Sequence, residues 1–173
     1  MIKLLLIAGI AIVLPAEVVA AGPHGTDHHY SSTGDTHHRG MHGTESQSSA
    51  VGEPADPVSV DKTIRVDMLD PMRFVFDQPL ELKSGDVVHF VVSNRGALRH
   101  EFSIGNEREQ KAHRAMMRDR PEMVHADAST VTVGPGKAKE MIWRFEGQGP
   151  VVFACNIPGH AEAGMVATAM LKP

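Results

Sequence analysis

The chain has 173 residues, 42% of them hydrophobic, with 17 Lys and Arg against 21 Asp and Glu and a formal net charge of -4. This length accommodates one domain with extra segments, and the lack of a basic block argues against nucleic acid as a partner. A single cysteine, Cys155, excludes an internal disulfide framework.

The chain opens with Lys3 ahead of an apolar run from Leu4 to Val13, followed by the small residues Val18, Val19, Ala20 and Ala21. A positive end, a short apolar core and a small-residue exit predict a secretory signal peptide over residues 1–20. A bilayer span needs about 20 apolar residues, and Pro15 and Glu17 interrupt this run. No stable membrane anchor is expected after cleavage. Cleavage removes Lys3 and Glu17 together, so the net charge is unchanged. Export predicts a periplasmic location, where a lone thiol is open to oxidation unless something occupies it. Metal ligation by Cys155 is one protection, and burial as an inert small side chain is another.

Residues 21–57 are dominated by Gly, Ser, Thr, His and Asp with almost no large apolar side chains. Such a segment cannot bury enough surface to offset its ordering entropy and is predicted to be disordered. His24, His28, His29, His37, His38 and His42 make up six of the eleven histidines, in a loose repeat of GTDHH at 25–29 and GDTHH at 34–38. Histidine-rich tracts suit divalent copper, nickel or zinc, so these six residues are candidate metal ligands in the tail. A solvated tail that binds nothing is the competing reading.

From residue 58 to 173 the pattern changes to short β-type runs separated by Gly, Pro and Asn. Strands are expected at 63–68, 73–76, 86–93, 100–104, 130–133, 137–145, 151–155 and 165–171. Seven or eight such strands predict an all-β, antiparallel Greek-key sandwich, and about 115 residues is adequate for one core of this kind. One stretch breaks the rhythm. Residues 107–119 are helix formers without a β-branched side chain, and Pro121 follows. They predict a helix on an insertion at 106–128, a loop length that is commonly functional.

The last third contains Cys155-Asn-Ile-Pro-Gly-His160-Ala-Glu-Ala-Gly-Met165, a C-x4-H-x4-M arrangement. A strand end, a turn through Pro158-Gly159 and the next strand start can bring these three side chains onto one ion. A blue-copper site needs a thiolate, two imidazoles and a weak axial thioether. His100, at the start of a strand after a glycine-containing turn, is the candidate for the second imidazole, since Greek-key topology places distant strand ends side by side. His89 is the rival, but it lies within an apolar strand and reads as packing or surface.

The N-x5-H-E-F segment at 94–102 and the C-x4-H-x4-M ending resemble the plastocyanin and azurin superfamily of cupredoxins across residues 58–173, with loop spacing most like rusticyanin and auracyanin. The resemblance implies one type 1 copper with His100, Cys155 and His160 as equatorial ligands and Met165 as the axial one. It also implies that Asn94 ties the two ligand loops together through hydrogen bonds. Multicopper oxidases share the C-x4-H-x4-M spacing but flank the cysteine with histidines. Here the flanks are Ala154 and Asn156, so no oxidase cluster, and no enzyme, is expected.

The insertion adds His113, Met116, Met117, Met123 and His125. On a helix His113 lies one turn from Met116 and Met117, and thioethers are soft donors that favour cuprous copper. These five residues are a candidate second copper site. Core packing is the usual explanation of such a Met stripe, although the neighbours here are mostly charged. The histidine-rich amino end and this insertion resemble the periplasmic copper-tolerance cupredoxins called CopI-like, which implies copper binding, buffering or oxidation. The alternative is a soluble electron carrier exchanging electrons with a periplasmic redox partner.

Overall fold

The computed structural model describes residues 49–126 and 128–173. The expected signal peptide and the six tail histidines, His24 to His42, lie outside the described residues. Among the described residues, ten strands form two five-stranded sheets facing each other. The first sheet runs in the order β1 (Gly52–Pro54), β8 (Ala138–Phe145), β5 (Val87–Asn94), β2 (Lys62–Leu69) and β3 (Arg73–Phe76). The second runs β4 (Leu82–Lys83), β10 (Val166–Lys172), β9 (Gly149–Ala154), β6 (His100–Gly105) and β7 (Thr130–Val133).

Period-two alternation builds the core between them. Ile64, Val66 and Met68 of β2 are buried, as are Val88, Phe90 and Val92 of β5 and Met141, Trp143 and Phe145 of β8. The second sheet contributes Phe102, Ile104, Val151 and Phe153. Phe102 stacks on Phe153 with ring centroids 5.5 Å apart and planes at 21°, and Phe90 lies 5.3 Å and 5.8 Å from these two rings. Each fully buried aromatic or aliphatic side chain contributes about 1.5–3 kcal/mol of transfer free energy, so this cluster is the chief restraint on the strand ends that carry the site.

All eight expected strands are present, with short β1 and β4 added. The sandwich is not wholly antiparallel, because β2 pairs with β5 in parallel and β4 pairs with β10 in parallel. The reason is topological. Between β2 and β5 the chain makes β3 on the far side of β2 and then crosses to the other sheet as β4, so β5 arrives in the same direction as β2.

The sandwich also takes in residues before 58. Val51 is in the core, and Gly52–Pro54 pairs with Trp143–Phe145 of β8. A three-residue strand of Gly, Glu and Pro carries no β-propensity signal, and it is held by its ladder to β8 instead.

Helix α1 spans Glu107–Asp119, between β6 and β7. Asn106 caps it, accepting from the Glu109 amide at 2.9 Å, while the Glu109 carboxylate accepts from the Asn106 amide at 2.8 Å. Gln110 fastens the helix to the second sheet: its side-chain nitrogen donates to the carbonyls of Ser103 at 3.1 Å and Val152 at 2.9 Å. With the helix in place, every residue of β6 is buried. Strand parity then sorts them, with His100, Phe102 and Ile104 on one face and Glu101 and Ser103 on the other, beneath the helix.

Candidate metal centre

One strand and one loop deliver the expected ligands. His100 begins β6, Cys155 follows the last residue of β9, His160 sits in the loop between β9 and β10, and Met165 directly precedes β10. The loop is closed by its own backbone. The Cys155 amide donates to the Met165 carbonyl at 3.1 Å, the Met165 amide to the His160 carbonyl at 3.0 Å, and the His160 amide to the Ile157 carbonyl at 3.0 Å. The turn needs φ of 87° at Gly159, which glycine adopts without strain.

One donor atom each from His100, Cys155 and His160 lies within 4.8 Å of the other two. His160 Nδ1 is 3.3 Å from His100 Nδ1 and 3.3 Å from Cys155 Sγ. His100, Cys155 and Met165 are fully buried, and His160 is half-buried. Two imidazole nitrogens and one sulfur this close together form a donor set that suits copper, and Met165 adjoins them through its backbone bonds to Cys155 and His160.

The surroundings prepare these groups. The Glu101 amide donates to Cys155 Sγ at 3.2 Å, a bond that favours the thiolate. Burial outweighs it and, together with repulsion from the Glu101 carboxylate, pushes the Cys155 thiol up to about 12. A cation entering the site therefore has to displace that proton. Burial, and then the charges of His100 and Arg99, lower the pKa of His160 below its ordinary value, so its ring is neutral and able to ligate at neutral pH.

Asp70 was not legible as part of the site. Its Oδ1 lies 3.2 Å from His100 Nε2, and its carboxylate accepts the amides of Ala97 at 2.8 Å and Leu98 at 3.2 Å. Those amide bonds, with His100 adding to them, hold its pKa below the usual carboxylate value. An ionised Asp70 keeps the His100 proton on Nε2 and leaves Nδ1 for a metal. Gly96 makes room for this arrangement, because a Cβ there would stand 1.8 Å from Asp70 Oδ1.

Asn94 is buried and donates to the carbonyls of Leu98 at 2.7 Å and Val133 at 2.9 Å, while its oxygen accepts the Gly96 amide at 2.9 Å. These bonds brace the turn before His100 against β7. They replace the expected tie to the Cys155 loop, since the turn's own carbonyls and the end of β7 lie beside the amide. His89 pairs with Glu140 at 3.1 Å on the outer face of its sheet, as its mid-strand position implied.

Of the five candidate residues in the insertion, the structure brings His113 and His125 together, with Nε2 atoms 3.3 Å apart. Met116 and Met123 line an open groove beside them. Met117 does not join: it is fully buried and absent from that groove lining. A residue that sequence reasoning missed takes part instead. Glu101, fully buried, places Oε2 3.8 Å from His113 Nε2 and Oε1 3.8 Å from His125 Nε2. Strand parity at His100 was the signal that could have found it, since it sends the next side chain to the face that the insertion covers.

A two-sheet Greek-key sandwich with two histidines, a cysteine and a methionine gathered at the ends of its strands is a cupredoxin. Auracyanin B has the same fold, with a TM-score of 0.54 at 18% identity over 73% of this chain and 97% of that one. No family model matches the chain. The copper-resistant cuproprotein CopI of Vibrio cholerae serotype O1 is 45% identical over 159 residues, covering 91% of this chain and 94% of that protein. CopI of Rubrivivax gelatinosus is 39% identical over 135 residues, covering 78% and 81%. The chain belongs to the CopI family of copper-resistant cuproproteins.

Proposed function

We propose that this chain is an exported periplasmic cupredoxin that holds one type 1 copper through His100, Cys155, His160 and Met165 and acts in copper tolerance by binding, buffering or oxidising copper. The observation that carries this reading is the convergence of His100, Cys155 and His160 donor atoms within 4.8 Å of one another. A buried thiol and two imidazoles select copper over hard cations. The tolerance role is supported by the relatives, which are described as copper-resistant cuproproteins. The chain is proposed not to be an enzyme, because Ala154 and Asn156 lack the imidazoles that would link Cys155 to an oxygen-reducing cluster.

One observation favours the electron-carrier reading. His160 is half-buried in a loop that exposes Pro158 and Ala163, and Leu98 is exposed two residues before His100. An apolar rim around an imidazole edge suits transient docking of a redox partner.

Two measurements test these readings. Purified protein with copper is expected to show a thiolate-to-copper absorption band that disappears in Cys155→Ser; its absence from the unsubstituted protein would refute the copper site. A deletion strain is expected to grow poorly in rising copper. Normal growth together with loss of a respiratory activity would favour the carrier.

A further inference from the structure

We propose that Glu101, His113 and His125 form a second metal site, for divalent copper, and that Glu101 couples it to the cysteine site through its own backbone. The three side chains come from separate elements: Glu101 from β6, His113 from α1 and His125 from the segment leading to β7. One ligand atom from each lies within 4.8 Å of the others. A carboxylate with two imidazoles suits a divalent borderline ion, copper or zinc, better than cuprous copper.

The cluster is supported as metal sites are, by outer hydrogen bonds. Thr132 donates to Glu101 Oε1 at 3.4 Å, and its hydroxyl oxygen accepts the His125 amide at 2.7 Å. His113 Nδ1 lies 3.5 Å from Ser103 Oγ and 3.1 Å from Asn156 Nδ2. A metal on Nε2 puts the ring proton on Nδ1, where the Ser103 hydroxyl accepts it and the contact with the Asn156 amide loosens. The groove lined by Met116 and Met123 gives a route from solvent.

Coupling follows from where these residues lie. Glu101 is next to the ligand His100, and its amide donates to Cys155 Sγ while its carboxylate faces the two histidines. Asn156, which contacts His113, is the residue after Cys155. A cation held by Glu101 compensates the charge of the carboxylate whose residue hydrogen-bonds the sulfur, which alters the electron donation of Cys155 to its own metal. The second site stands independently; only this coupling rests on the reading of Cys155 as a copper ligand.

The test is a Cu(II) titration of the full mature chain, with bound copper counted and followed by electron paramagnetic resonance. The histidine-rich segment is common to all variants, so differences report on the domain. His113→Ala with His125→Ala is expected to bind one copper fewer per chain and to lose a signal of normal hyperfine width, while keeping the thiolate-to-copper band. An unchanged copper count would overturn the site. Should that double variant not fold, Glu101→Gln, which retains the amide bond to Cys155, is expected to weaken the second copper by about tenfold or more; equal affinity would overturn the site. In the unsubstituted chain, filling the second site is expected to shift the thiolate band, and a band that does not move would overturn the coupling. A chain with no such band at all would refute the copper reading of Cys155 and the coupling with it, while the copper count would still decide the Glu101 site.

Discussion

Asp70 Oδ1 lies 3.2 Å from His100 Nε2, so the first histidine of the centre is aimed by a carboxylate from the turn after β2. The same carboxylate closes the 97–98 turn by accepting two amides. Asp70→Asn keeps the side-chain shape but loses the charge that holds the ring proton on Nε2. Removing such a partner is expected to weaken copper binding by about 10-fold or more, read by competition with a chelator of known affinity. An unchanged affinity would show that the contact does not orient His100.

Gly96 gives an independent approach to the same contact. A Cβ at that position would meet Asp70 Oδ1 at 1.8 Å and Asp70 Cγ at 2.5 Å, so Gly96→Ala has to displace the carboxylate. It is expected to reproduce the Asp70→Asn loss. In the double variant the two effects should not add, since both remove one interaction. Fully additive losses in a double-mutant cycle would place the effect of Gly96 elsewhere.

The contrast between His100 and Asp70 explains what the sequence could and could not disclose. The gathering of His100, Cys155 and His160 was legible because two share one loop at fixed spacing and the third begins a strand after a recognisable turn. Asp70 was hidden because its role depends on β2 and β6 meeting across the two sheets, and no local pattern records that meeting. The eight strands with clear alternation were readable for the same local reason. β1 and β4 were not, since Gly52–Pro54 and Leu82–Lys83 are held by ladders to β8 and β10 rather than by propensity. His113 and His125 could be paired from composition. Their partner Glu101 required knowing that α1 covers the outer face of β6.

Glu109 links the start of the described chain to the helix. Its carboxylate accepts from Ser49 Oγ at 2.7 Å and the amides of Ala50 and Asn106, each at 2.8 Å. Partial burial opposes its charge, but those three donors prevail and hold its pKa below the ordinary value. A depressed carboxylate contributes stability that is present above its unfolded value of about 4.3 and is lost as pH falls through the lower, folded value. Glu109→Gln is therefore expected to cost about 1 kcal/mol at pH 7 and progressively less as the pH is lowered through the depressed value, in urea unfolding at neutral and acid pH. An equal cost at both would show that the charge contributes nothing.

The raised pKa of Cys155 makes copper uptake a proton-releasing reaction. With the thiol near 12 and His160 below its ordinary value, both groups are in their neutral forms across the neutral range. Ligation by sulfur then releases the thiol proton, and this contribution makes the apparent affinity rise about tenfold per pH unit below the raised thiol value. Calorimetry in buffers of different ionisation enthalpy is expected to count one proton more for the unsubstituted chain than for Cys155→Ser. Equal proton release from the two would mean that the sulfur does not ligate as a thiolate, because a metal–thiolate bond cannot form while the thiol keeps its proton.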